Sequence, residues 1–290
     1  MDYNKTKSEY LSFLGQTCHY DVAKYVIQPV PYDKSSTWKR GAAKAPASIL
    51  EASMHLEDYD IETDSQAVKA GIKTEEPFFC DGDAPVVVDA LKPLAKRFFV
   101  EEKIPCFIGG DHSISIGVFQ ALKDLGKDFS ILHFGAHTDL RPSYEGSPYN
   151  HACVMRRALE VTDNIVQCGI RSMSNREKTV YNAEKTFFAQ DIHQSDLWID
   201  DVIAELGDNV YVTLDVNVFD PSIILSGTPE PGGLYFQQVN SLLKLLAKRK
   251  KVVGFDVVEF LPNQNNHAPE YMVAKLIYGF ISYLEAYSSS

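Results

Sequence analysis

Three short stretches of the chain combine histidine, carboxylate and glycine residues in spacings that could support hydrolysis at a metal centre. They read GGDHS at 109–113, GAHTD at 135–139 and DVNVFDP at 215–221. Imidazole and carboxylate groups without a thiolate form a hard donor set, which suits Mn²⁺ or another divalent first-row ion. Such an ion turns bound water into a nucleophile near neutral pH. The stretches therefore predict most of a two-metal hydrolase site.

The spacing within the second and third stretches places donor groups side by side. His137 and Asp139 are two residues apart, so their side chains point to the same side of an extended strand end. Gly135 is the third position of that row, but it offers no side chain. Asp215 and Asn217 form a second same-side pair, in which Asn217 contributes only a neutral amide.

Each motif on its own also has a purely structural interpretation. His112 could lie at the start of a helix that begins near Ser113, and Asp220-Pro221 is an ordinary turn sequence. The occurrence of all three motifs, each directly after a strand-like run, favours the metal site.

The elements that must position these motifs alternate along the chain. Apolar, β-branched runs typical of buried strands occur at Tyr25–Val30, Ile104–Ile108, Ser130–Phe134, Ile165–Cys168, Val210–Leu214 and Val252–Phe255. Helical periodicity occurs between them at Pro46–Glu57, Ala84–Val100, Ile116–Leu125, Asp200–Leu206, Phe236–Lys248 and Pro269–Ala286. This alternation predicts an α/β fold with a mainly parallel sheet and helices on both faces. The C-terminal ends of parallel strands share one rim, so the motifs can meet there.

Composition limits the domain organisation and the classes of partner. No repeat, low-complexity linker or composition break divides the sequence, so residues 1–290 are predicted to form a single domain. The net charge of −11 argues against nucleic acid and against an anionic membrane as partners, and is compatible with a cationic substrate. Scattered cysteines without CxxC spacing and the lack of a signal-peptide core predict a cytoplasmic protein.

The motifs resemble those of the ureohydrolase family of arginases and agmatinases over nearly the whole chain. The family's GGDHS, DAHxD and DxDxxDP stretches correspond to residues 109–113, 135–139 and 215–221. The run GTPEPGG at 227–233 is similar to the agmatinase branch rather than the arginase branch. The resemblance implies a three-layer α/β/α sandwich, assembly as a trimer or hexamer, and hydrolysis of agmatine to putrescine and urea at a manganese centre.

The resemblance also assigns roles to individual residues. It implies that His112, His137, Asp139 and Asp215 are metal ligands. It implies that His151 is a proton shuttle or substrate-positioning group, that Asn150 contacts substrate, and that Glu259 binds the substrate guanidinium. From the residues alone, His151 could equally be a surface histidine and Glu259 a solvated charge at a strand end.

Two departures from the family pattern fall on metal positions. Gly135 replaces a bridging carboxylate, and Asn217 replaces a carboxylate ligand of the second ion. The remaining carboxylates, Asp139 and Asp215, offset the charge of one divalent ion rather than two. We therefore expect at most one Mn²⁺ per chain, held by His112, Asp139 and Asp215, with hydrolysis very slow or absent.

Two functions follow from these observations. The first is an agmatinase-like enzyme acting on a small cationic guanidino substrate, with a degraded manganese site. The alternative is a metal-poor pseudoenzyme that binds a guanidino compound or regulates an active relative. Bound metal distinguishes them, because two equivalents of Mn²⁺ would support the enzyme and none would support the pseudoenzyme.

Overall fold

A single eight-stranded parallel sheet forms the centre of the molecule. The computed structural model describes residues 11–195 and 197–287. The strand order is β2-β1-β3-β8-β7-β4-β5-β6, and every neighbouring pair is parallel. The strands are β1 Tyr25–Val30, β2 Ile72–Thr74, β3 Ile104–Gly109, β4 Ser130–Phe134, β5 Ile165–Ile170, β6 Thr186–Phe188, β7 Asn209–Asp215 and β8 Lys251–Val258.

Helices cover both faces of the sheet and give the predicted three layers. The helices are α1 Ala45–Ser53, α2 Ala84–Val100, α3 Ser115–Lys123, α4 Val154–Ala158, α5 Ala189–Ile192, α6 Trp198–Glu205, α7 Phe236–Arg249 and α8 Ala268–Tyr287. Two separate apolar cores are buried between the layers, one under α2, α3 and α4 and the other under α1 and α5 to α8. Because alternate strand residues point to opposite faces, Val26 packs in the first core while Tyr25 and Ile27 pack in the second.

The prediction of a three-layer, mainly parallel α/β fold is confirmed, although the pattern missed two strands. The strands β2 and β6 have three residues each and lie at the two edges of the sheet. Runs this short carry no readable periodicity. The first helix also ends earlier than predicted, at Ser53 rather than Glu57. The Ser53 hydroxyl donates to the carbonyl of Leu50 and accepts from the N–H of Leu14, so it competes with continuation of the helix.

The four central strands bring the motifs to one rim. In the order β3-β8-β7-β4 these strands are adjacent, and GGDHS, Glu259, DVNVFDP and GAHTD follow their C-terminal ends. No helix within residues 11–195 and 197–287 is long and apolar enough to cross a membrane.

Candidate active site at the carboxyl rim of the sheet

A cleft of about 210 Å³ opens above the central strands, and most of the predicted site residues line it. His137 and Asp139 come from the segment after β4, and Asp215 ends β7. Glu259 follows β8 in a left-handed backbone conformation with φ of 66°. The predicted site residues on the cleft wall are His137, Asp139, His151, Asp215, Asn217 and Glu259.

His112 lies directly behind this wall, with its proton position fixed by its neighbours. Its Nδ1 is 3.2 Å from Oδ2 of Asp139 and 3.8 Å from Oδ2 of Asp215. On the other side of the ring, Nε2 is 2.8 Å from the Thr213 hydroxyl, which itself donates to Asp256. The Thr213 oxygen must therefore accept from Nε2–H, which leaves the Nδ1 lone pair facing Asp139.

Burial sets the charge states at the floor of the cleft. It lowers the pKa of His112 to about 3, so the ring is neutral near pH 7. Burial also raises the pKa of the Asp139 carboxyl. The pKa of Asp215 is raised well above its ordinary value by burial and then by the charges of Glu259 and Asp139. A cation placed among these groups would favour the charged forms of both carboxylates.

Glu259 and His151 form a second polar pair above the floor. The Glu259 carboxylate accepts a 2.8 Å hydrogen bond from the backbone N–H of His112, and burial raises its pKa to about 7. Burial alone would lower the pKa of His151. The negative charges of Glu259, Asp139 and Asp111 and the hydrogen bond to Ser35 together outweigh burial, so the pKa is raised. The Nδ1 of His151 donates to the carbonyl of Ser35 at 2.8 Å, so Nε2 is the ring nitrogen left for a ligand.

Asn150, the third residue predicted to contact substrate, is not placed in the cleft wall. The residue is 4% exposed, and its side chain forms hydrogen bonds to nearby backbone groups. The amide oxygen accepts from the N–H of Ala152, and the amide nitrogen donates to the carbonyl of Ser35. These bonds hold Asn150 against the segment next to His151, and its contact with substrate stays a prediction.

The site contains one buried histidine that the sequence interpretation missed. His133 is fully buried, and its Nε2 has no hydrogen-bond partner among the described residues. The ring occupies the space beside Gly135, where an added Cβ would lie 2.6 Å from Nε2. The sequence did contain a signal for His133. Residues 133, 135, 137 and 139 are spaced two apart, so their side chains point to the same side of an extended chain.

The side-chain amide of Asn217 lies between two predicted ligands. Its oxygen accepts from the backbone N–H of Ala136 at 2.6 Å, and this contact fixes which end of the amide is which. The nitrogen then donates to Oδ2 of Asp215 at 2.7 Å and lies 3.2 Å from Nδ1 of His137. An uncharged donor thus joins His137 and Asp215, two of the residues that the resemblance implies are metal ligands.

The residues present do not fit a centre with two ions. The place of one carboxylate is filled by the His133 ring, and the Asn217 amide turns its N–H groups toward the second position. A cation cannot share that position with an amide donor. A smaller set remains suited to one ion, since His112, His133 and Asp139 each offer an atom within 4.8 Å of the others.

A single arginine secures the outer wall of the cleft. The guanidinium of Arg171 donates to the carbonyls of Asn217 and Phe219 and to that of Glu230 in the 227–233 run. It also reaches the carbonyls of Gly169, Val218 and Pro231. Nothing in the strand and motif pattern signalled this role, because the partners are backbone atoms.

The chain is similar to known proteins over most of its length. The family model described as Arginase family matches residues 23–282. An N(1)-aminopropylagmatine ureohydrolase of Thermus thermophilus is 38% identical over 89% of each chain. An agmatinase of Pyrococcus horikoshii is 34% identical over 88% of this chain and 90% of its own. The crystal structure of agmatine ureohydrolase of Thermoplasma volcanium superimposes with a TM-score of 0.86 at 34% identity, covering 94% of this chain and 93% of its own.

Proposed function

The chain belongs to the arginase family, and we propose that it acts on a linear guanidino compound of the agmatine type, releasing urea and an amine. The observation that carries the proposal is the cleft itself, in which Asp139, Asp215 and Glu259 present buried carboxylates to one small space. A buried carboxylate group needs a cation to offset its charge. The names of the relatives, N(1)-aminopropylagmatine ureohydrolase and agmatinase, support the same class of substrate.

Glu259 is proposed to bind the guanidinium. A planar guanidinium pairs with a carboxylate through two parallel N–H bonds, which fixes the orientation of its carbon atom. The backbone N–H of His112 already holds Oε1 of Glu259, so the carboxylate has little freedom to turn away. Glu259 therefore orients the carbon that water attacks.

His151 is proposed to move the proton. When water adds to the guanidinium carbon and the C–N bond to the alkyl group breaks, the departing amine must gain a proton. The raised pKa of His151 keeps a larger fraction of the ring protonated at neutral pH, although burial opposes this. A divalent ion at His112 and Asp139 would supply an activated water when bound.

A second candidate function is favoured by the two altered metal positions. With Gly135 and Asn217 in place, the cleft could bind a guanidino compound and not hydrolyse it, as a pseudoenzyme would. Recognition by Glu259 is common to both functions, so only turnover separates them. Manganese as the native ion and assembly as a trimer or hexamer are part of the proposal, and the cytoplasmic location remains a prediction.

Calorimetry and a urea assay on the same preparation test the proposal. We expect agmatine to bind with Mn²⁺ present and to release urea, and putrescine, which lacks the guanidinium, to bind more weakly. Glu259→Gln should weaken agmatine binding by about 10- to 100-fold, because a charge-assisted bond is lost. Binding without urea would establish the pseudoenzyme instead. If agmatine does not bind at all, both candidates fail.

A further inference from the structure

We infer that the chain holds one divalent metal ion with a rearranged set of ligands, in which His133 joins His112 and Asp139. The inference deepens the proposed function and rests on it for the use of the ion. The binding of the ion is a separate property and can be measured without substrate.

The contact between His112 and Asp139 requires a positive charge between the two side chains. Their atoms Nδ1 and Oδ2 are 3.2 Å apart, and Thr213 holds the only ring proton of neutral His112 on the far nitrogen. Two lone pairs at that distance repel each other unless a proton or a cation lies between them. The contact is therefore a place where a metal ion would replace a proton.

His133 provides the third donor atom in the same space. Its Nε2 is 3.9 Å from Oδ2 of Asp139, is fully buried, and has no partner within the described part of the chain. An unpartnered polar atom in the interior costs free energy. Metal–ligand bonds of about 2.0 to 2.2 Å place neighbouring ligand atoms about 3 to 4 Å apart, so only a small inward movement is needed.

The Gly135 position explains why His133 can take this place. The ring stands 2.6 Å from where a Cβ at residue 135 would lie, so any larger residue there would displace it. The site therefore has an imidazole where the resemblance implies a carboxylate.

Gln167 limits how strongly this site can bind. Its side-chain nitrogen lies 2.9 Å from Nδ1 of His133 and donates to the carbonyl of Thr138. Metal binding through Nε2 requires the His133 proton on Nδ1, so the Gln167 amide must turn and accept it through its oxygen. The ion must offset the loss of the Thr138 contact, and we expect weaker binding than at a site with a preset acceptor.

Metal titration of the full chain, stripped with a chelator, tests the inference. With Mn²⁺ or Co²⁺ alone, elemental analysis should give one equivalent per chain. His133→Gln should lower the affinity by about 100-fold or more, while the matched control His137→Gln should change it by less than about 3-fold. The Co²⁺ absorption and the number of imidazole nitrogens detected by electron spin echo at Mn²⁺ should change in His133→Gln and not in His137→Gln.

A second variant distinguishes loss of the His133 ligand from misfolding of the His133→Gln variant. Gly135→Ala adds one methyl group and no ligand, yet it should displace the His133 ring and lower metal affinity by at least about 10-fold. Two tightly bound ions, no bound ion, or one ion unaffected by both variants would overturn the inference. If one ion binds through His133 and no urea forms, the inference stands while the hydrolase proposal fails.

Discussion

The side-chain nitrogen of Asn217 lies 3.2 Å from Nδ1 of His137, so this imidazole accepts at Nδ1 and carries its proton at Nε2. The same amide nitrogen donates to Asp215. His137, which the sequence predicts to be a metal ligand, therefore accepts a hydrogen bond from an uncharged amide. The arrangement makes the second metal position stable without an ion.

Asn217→Asp should destabilise the protein when no metal is present. A carboxylate at 217 would face Asp215 without a donor between them, and two buried like charges repel. We expect the free energy of unfolding at pH 8 to fall by about 1 to 3 kcal/mol, and millimolar Mn²⁺ to restore part of the loss. Denaturant unfolding with and without Mn²⁺ measures both. Asn265→Asp, at an exposed position away from the cleft, is the matched control and should change little.

Restoring both carboxylates should not be sufficient to recruit a second ion. Gly135→Asp together with Asn217→Asp returns the charge, but the new side chain at 135 and the His133 ring must compete for the same space. We expect this double variant to bind at most one Mn²⁺ per chain, and the triple variant that adds His133→Ala to bind two. Elemental analysis after gel filtration gives the number of Mn²⁺ ions per chain. Two ions in the double variant would show that the ring moves aside readily.

The hydroxyl of Thr213 should control metal affinity without touching the ion. It accepts from Nε2–H of His112 and so keeps Nδ1 free as a ligand. Thr213→Val removes the acceptor, and we expect Mn²⁺ to bind about 10- to 100-fold more weakly. Thr213→Ser retains the hydroxyl and should bind as the unaltered chain does. Equal losses in both variants would indicate a packing effect instead.

Asp256 should make stability depend on pH. Burial raises the pKa of its carboxyl from 3.8 to about 6, against the opposing hydrogen bonds from Thr213 and Tyr211. A raised carboxyl pKa favours folding below pH 3.8, and this stabilisation is lost as pH rises through about 6. The loss is at most about 3 kcal/mol. Urea unfolding from pH 4 to pH 7 should show this fall, and Asp256→Asn should flatten it.

The sequence predicted the central part of the fold and site because strong periodicity and strand-end motifs coincide there. The runs that became β3, β4, β7 and β8 are buried on both faces and read as continuous apolar segments. His133 was missed because it stands inside such a run and was taken as part of the strand. The hydrogen bonds of Asn150 within its own loop could not be predicted, because a polar side chain that caps a loop has the same sequence pattern as one that faces a ligand.

The contacts of Arg171 have a mechanical consequence for the cleft. One guanidinium ties the turn after β7 to the segment 227–233, so hydrogen exchange at these two backbone stretches should slow or speed together. Any movement that separates these two segments must break several hydrogen bonds of Arg171 at once. One side chain, that of Arg171, therefore opposes separation of the two backbone segments.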